Sequence, residues 1–293
     1  MVTALSTESD GVLSFGMARI DEVFPGFHRG DFAVLFGHSL CRKLLFLLCV
    51  RCQLPAGKGG LNSKVVYIDG GNTFDPYSIS AIAQEHGLHP KSVLESILIS
   101  RAFTAYQSTA LVLDKLEAAL KSYKPKLVIV SDITGLFLDR DVPRQEAEHL
   151  FKNMTQHLSK LASNKQVIIV AWHIPRSCSR RSRLLKSVLY GNATMVMGVR
   201  ESKGVSKFIL ENHPKVKPFT MTLPSNSSTL DMFMEEYGRF LRFFLEKPPG
   251  LNAGSVEIPV NMLKKLGTLE DFMGGVTVGE NRSIIPSSLR KRD

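Results

Sequence analysis

Two stretches of the chain combine residue types at spacings that suit the handling of phosphates. The first is Gly37-His38-Ser39-Leu40-Cys41-Arg42-Lys43-Leu44, which directly follows the apolar run Asp31–Gly37. A loop that cradles phosphate reads glycine, four residues, then Gly-Lys-Ser/Thr. Its backbone amides close on the anion, its lysine supplies charge, and its hydroxyl ligates magnesium. Gly37 and Lys43 stand at the right separation. Arg42 replaces the second glycine, where the backbone must approach the phosphate in a conformation costly for other residues. Leu44 replaces the hydroxyl. On these residues alone the match is poor, since many strand–turn–helix units carry a chance glycine and lysine. Gly37, Arg42 and Lys43 are therefore doubtful nucleotide-binding candidates. ATP binding without hydrolysis stays open, and Arg42 could instead fill the phosphate position itself.

The second stretch runs from His173 to Lys186 and carries Arg176, Arg180, Arg181, Arg183 and Lys186 with no acid among them. Five cations can neutralise several phosphates, and such binding is salt-dependent. The serines between them suit a mobile loop that orders on binding. The bland alternative is a solvated charge run. Trp172, just before, could stack a base or simply pack at the end of a strand. Arg140 and Arg144 sit in a second, nearly neutral segment, Leu138–Gln145, among Asp139 and Asp141. Lys203, Lys207, Lys215 and Lys217 could extend a basic face. Over the whole chain 37 Lys and Arg stand against 27 Asp and Glu, a net charge of +10, which favours a polyanionic partner, nucleic acid first.

The elements that must position these residues follow from the hydrophobic pattern. Apolar runs at Asp31–Gly37, Lys64–Gly70, within Val93–Phe103, at Lys126–Asp132 and at Gln166–His173 read as buried strands. Helical patterns separate them, at residues 41–54, Pro76–Glu85, Gln107–Tyr123 (apolar at Leu111, Leu113, Leu116 and Leu120) and Gln145–Ala162. Continuous Val/Ile/Leu strands alternating with helices predict an α/β fold, a twisted, mainly parallel sheet with helices on both faces. Residues 193–202 and 207–214, joined by a short turn at Lys203-Gly204, predict an antiparallel extension. Composition shifts near Pro224. We expect a core over residues 1–224 and an appendage over 225–293, holding an amphipathic helix at Thr229–Lys247 and a basic tail. The longest apolar stretch, Leu44–Val50, is far short of the ~20 residues that span a bilayer. No signal peptide is recognisable, and four cysteines make no disulfide framework. Cys49 and Cys52 read as buried core thiols rather than zinc ligands, and no metal site is expected. A reducing compartment fits, cytoplasmic or nucleoid-associated.

The flanking text is more specific than either motif. IDEVFPGFHRGDFAVLFG, YIDGGNTFDPYSISAIAQEHGL, RAFTAYQ, LVIVSDITGLF and VIIVAWH resemble, in order, five segments of the RecA/RadA-type recombinase superfamily, over roughly residues 15–224. The chain begins almost at the core, which resembles short archaeal and eukaryotic recombinase paralogues. The resemblance implies a RecA-like core, and it places the catalytic glutamate on Gly71, the magnesium-linked aspartate on Ser131, and the glutamine coupling nucleotide to DNA on His173. Asp132 lies one place past Ser131, and alternation along a strand should send it elsewhere. Phosphoryl transfer needs lysine, metal and water-positioning group together. The resemblance therefore implies a pseudo-ATPase with no catalytic residues. In the family the Arg176–Lys186 segment is a DNA-binding loop. The reading that follows is a non-hydrolysing paralogue, binding single-stranded DNA and assisting a true recombinase in recombination and repair. An active DNA-dependent ATPase, or a KaiC-like scaffold without DNA, are the alternatives.

Overall fold

The central strands form where near-continuous apolar runs can be buried on both faces. Residues 11–176 and 179–223 are described by a computed structural model. The expected appendage, residues 225–293, lies outside the described residues, as do Ser177 and Cys178. In chain order the elements are α1 (Ala18–Asp21), β1 (Phe32–Phe36), α2 (Ser39–Arg51), β2 (Val65–Asp69), α3 (Pro76–Glu85), α4 (Pro90–Glu95), β3 (Ile97–Arg101) and α5 (Ala105–Ala110). There follow a π-helical turn (Leu111–Lys115), α6 (Leu116–Tyr123), β4 (Leu127–Ser131), α7 (Arg144–Lys165), β5 (Ile168–His173), α8 (Arg180–Asn192), β6 (Met195–Ser202), β7 (Val205–Asn212) and β8 (Phe219–Thr222). They build one sheet in the order β3-β2-β4-β5-β1-β6-β7-β8. Its members from β3 to β6 are mutually parallel, and β7 and β8 are antiparallel additions. This is the expected α/β architecture, with β8 added.

Every residue of β1, β2, β4 and β5 is buried. Alternate residues serve opposite faces, as the strand repeat requires. Leu35, Tyr67, Ile129 and Val170 pack under α2 and α3 with Leu44, Leu45 and Ile79. Val34, Ile68, Val130 and Ala171 pack on the other face against Phe151, Leu158 and Leu185 of α7 and α8. The antiparallel strands join the first of these layers through Phe208, which is wholly buried between Phe15 and Phe219. The β6–β7 turn places Lys203 (φ 50°) and Gly204 (φ 74°) in left-handed conformations, the pairing a two-residue hairpin favours.

Local chemistry sets the helix starts. Asp75 accepts from Tyr77 N at 2.9 Å ahead of Pro76, which needs no partner in the first turn. Thr104 accepts from Gln107 N, and Gln107 Oε1 accepts from Phe103 N, a reciprocal cap on α5. The segment expected as one helix from Gln107 to Tyr123 is interrupted by the π-turn. The wider turn buries Val112 rather than Leu113, bringing Leu116 and Leu120 onto the same core face. Phe208→Ala should lower stability by roughly 3–5 kcal/mol, the usual cost of emptying a buried phenylalanine site. Chemical denaturation is the check, and a loss under about 1 kcal/mol would mean that the hairpin is not part of the core.

Candidate functional site

The carboxyl ends of β1, β2, β4 and β5 meet along one edge, where an open sheet of this kind offers its crevice. Three clusters lie there. In the first, β1 ends at Gly37, whose φ of +139° and lack of Cβ are both required: a Cβ would collide with Val199 O and Cys41 Sγ. Gly37 N donates to His173 O at 3.1 Å, and Trp172 Nε1 donates to Gly37 O at 2.9 Å. Helix α2 begins only two residues later. The buried Cys41 thiol donates to Phe36 O at 3.0 Å, and Leu44 faces the core at 4% exposure. Arg42 N is spent on His38 O at 3.3 Å, one turn inside the helix. With arginine at the glycine position, and Cys41 and Leu44 anchored in the core, the helix winds back to Ser39 and takes up the loop. At its N-terminus Glu201 Oε1, from β6, accepts from Ser39 Oγ and Leu40 N, both at 3.4 Å. An acidic group there complements the helix dipole.

The second cluster joins β2 to β4. Asp69 is fully buried, and its Oδ1 accepts from Thr73 N (2.9 Å), Thr73 Oγ1 (3.2 Å) and Ser131 Oγ (2.9 Å). Its Oδ2 accepts from Phe74 N at 3.1 Å, with Arg101 Nε 3.8 Å away. This carboxylate ties down the turn that contains Gly71. Asp132, one residue past β4, has a left-handed φ of 46°, lies beside Gly71 and accepts two bonds from Arg176, at 2.6 and 3.1 Å. Burial raises the Asp132 pKa, and the Arg176 guanidinium opposes that rise.

The third cluster is the basic stretch, and four of its five cations lie on a helix rather than in a loop. Ser179 caps α8 by accepting from Ser182 N at 3.1 Å. Arg180, Arg183 and Lys186 follow at intervals of three, all exposed, with Lys186 Nζ 4.8 Å from the Tyr190 ring centre. Arg181 is partly buried, its Nη1 donating to Val142 O at 3.1 Å, and is an anchor between α8 and the β4–α7 connection. Arg176 is held by Asp132. The structure thus separates the candidate DNA residues into three presented cations and two engaged ones. Cations in the first turn oppose the helix dipole and repel one another at i,i+3 spacing. A polyanion would relieve both costs.

Trp172, at 2% exposure and bonded to Gly37 O, is a packing residue and not a base-stacking one. His173 is buried and hydrogen-bonded through Nδ1 to Thr134 Oγ1 at 3.0 Å. Burial, and then the charges of Lys186 and Arg176, push its pKa down to about 4, so the ring is neutral near pH 7. Thr134 and Arg101 escape a reading by motif, because only the fold brings them here. In the second segment Arg144 pairs with Glu148 at 2.7 Å and Arg140 is exposed. Lys203, Lys207, Lys215 and Lys217 are also exposed. Cys49 and Cys52 are buried thiols, as expected, burial pushing Cys52 up to about 12. Among the described residues, no group of three or more His, Cys, Asp or Glu could hold a metal ion, and no helix is long and apolar enough to cross a membrane.

The parallel sheet, the turn after β1 and the basic segment after β5 define a RecA-like α/β core. The profile of the Rad51 family matches residues 6–175, and the chain belongs to that family. It is 31% identical over 165 residues to a DNA repair protein RAD51 homolog of Solanum lycopersicum, covering 54% of this chain and 48% of that protein. It is 28% identical over 199 residues to the DNA repair and recombination protein RadA of Metallosphaera sedula (67% and 57%). It is 33% identical over 152 residues to the meiotic recombination protein DMC1 of Saccharomyces cerevisiae (51% and 45%). The chain spans about half the length of the curated relatives it matches.

The depressed His173 pKa has a consequence for stability. The unfolded chain binds a proton near pH 6.5 and the folded chain only near pH 4, so this residue's contribution falls as pH drops through that window. His173→Gln should therefore flatten the loss of stability between pH 6.5 and 4, compared with wild type in urea titrations. Parallel pH profiles for the two proteins would show that the ring is not held neutral.

Proposed function

We propose that this chain is a non-hydrolysing member of the Rad51 family that binds DNA, single-stranded DNA first, through the exposed face of α8 and assists a hydrolysing recombinase. The observation that carries the first half is the start of α2 at Ser39, with Leu44 buried and Arg42 N already bonded. A phosphate site needs free amides converging on the anion, and hydrolysis needs a metal-bound hydroxyl and a water-positioning acid as well. At Gly71 there is no side chain, and Ser131 bonds to Asp69. The stripe Arg180, Arg183 and Lys186 supports the second half, together with the net charge of +10 and the repair and recombination names of the relatives. DNA binding on this reading needs no nucleotide.

Three outcomes follow. Phosphate release at saturating DNA should stay at background, and a turnover abolished by Lys43→Ala would refute the pseudo-ATPase reading. Arg42→Gly with Leu44→Thr, which rewrites the motif, should not confer turnover and should lower stability by roughly 2–3 kcal/mol, because Leu44 is a core residue. Arg180→Ala with Arg183→Ala should weaken single-strand binding and reduce the salt slope by about 1.4, at ~0.7 per phosphate contact. Wild-type affinity in that double variant at every salt concentration would favour a scaffold without DNA contact.

A further inference from the structure

Arg176 belongs to the basic stretch by sequence, yet its surroundings are unlike those of Arg180 or Arg183. Both of its terminal nitrogens donate to one carboxylate, that of Asp132, and Asp132 is only 3% exposed. The pair spans two neighbouring strands, from the turn after β4 to the residues after β5. The crevice is shaped around it. A Cβ on Gly71 would lie 2.9 Å from Asp132 Cβ, and one on Gly135 would overlap both Asp132 Oδ2 and Arg176 Nη1. Two further bonds cross the same seam: Ile133 N donates to Trp172 O at 3.0 Å, and Thr134 Oγ1 meets His173 Nδ1 at 3.0 Å. Asp132 keeps a left-handed φ of 46°, which aspartate tolerates better than most residues and which aims its carboxylate across the seam. A two-pronged guanidinium–carboxylate bond fixes orientation as well as distance.

We propose that Asp132 and Arg176 form a built-in latch that sets where the chain leaves β5, and so where α8 presents its cations, with Arg176 a positioning residue and not a DNA contact. This rests on the reading of α8 as the DNA-binding face. The two roles of Arg176 predict opposite signs for one substitution. If Arg176 touched phosphate, Asp132→Asn would release a cation, and single-strand affinity and salt slope would both rise. As a latch, Asp132→Asn should lower affinity by roughly 2- to 30-fold, the usual range for residues that couple without touching ligand. Arg176→Lys separates the roles again. An ammonium keeps the charge but cannot make the two-pronged bond. The latch predicts a loss like that of Arg176→Ala, while a phosphate contact predicts near wild-type binding.

The experiment is fluorescence anisotropy of the full chain with a labelled oligo-dT over a salt series. Amide exchange of the peptide covering residues 132–137 is followed in parallel. Weaker binding in both variants with faster exchange at Ile133 and Gly135 is the expected result. Tighter or unchanged binding in Asp132→Asn, or unchanged exchange, overturns the latch. If wild type binds no oligonucleotide, the DNA reading fails, and the exchange measurement still decides whether the latch exists. Should Asp132→Asn fail to fold, Arg176→Lys carries the same two readouts.

Discussion

Two strand ends are stapled together at Gly37 and a third is tied in through Trp172, and the rest of the site hangs from that seam. Gly37 gives its N–H to His173 O and takes the Trp172 indole N–H on its own carbonyl, so β1 and β5 are joined beyond their last ladder bond. The backbone of Trp172 in turn accepts from Ile133, which brings the β4 turn into the same seam. Unpaired polar groups buried here would each cost about 1–3 kcal/mol. Pairing them side to side leaves the turn after β1, the turn after β4 and the exit from β5 little freedom to move separately. The tryptophan that the sequence offers as a stacking platform is spent on this seam.

The same seam bears on the proposed reading, in which hydrolysis is lost and DNA binding is kept. Gly71 has no side chain, and the space beside it is occupied by Asp132. A glutamate at position 71 would have to displace that carboxylate and its arginine. The helix after β1 winds back to Ser39 because Cys41 and Leu44 find better partners in the core than in a loop, and Glu201 covers the N-terminus left behind. None of these changes touches α8. Its buried face, Leu185 and Leu189, packs against α7 and the sheet whatever happens at Gly37.

How far the sequence speaks depends on whether a feature is local. Strands such as KLVIVSD and QVIIVAWH announce themselves, because burial on both faces favours near-continuous apolar runs. The motif positions Gly37, Arg42 and Lys43 were legible, but their geometry was not. Whether a glycine-rich turn stays open depends on the competition between free amides and helix propagation, which is settled by what Cys41 and Leu44 meet in three dimensions. The start of α8 is a nearer miss. Ser179, followed by apolar residues at Leu184, Leu185, Val188 and Leu189, is a capped helical pattern, masked by the arginine density that suggested a loop. β8 is short and alternates polar with apolar residues after Pro218, which gives periodicity little to work on. The partnership of Asp132 with Arg176 spans 44 positions and has no local signature.

Moving the cations from a loop to a helix changes what kind of binding the site can do. A loop that orders on its ligand loses backbone entropy of about 1–2 kcal/mol per residue at the moment of binding, and its affinity answers to anything that orders it beforehand. On α8 that ordering is already complete. Arg180, Arg183 and Lys186 occur at intervals of three on a rod capped by Ser179 and anchored by Arg181 on Val142 O. Side chains three apart on a helix lie on neighbouring turns, roughly 5–6 Å between Cβ atoms. That separation is on the scale of adjacent phosphates along a strand, so successive cations can serve successive phosphates without rearrangement. The repulsion among them is built in at folding, and a polyanion on this face would relieve it. In the recombinases this chain resembles, nucleotide state is coupled to the DNA loop through a glutamine, and His173 stands at that position here. On the proposed reading, a face that is already ordered on α8 would bind without such coupling, and the Asp132–Arg176 pair across the seam would bear on where that face is presented.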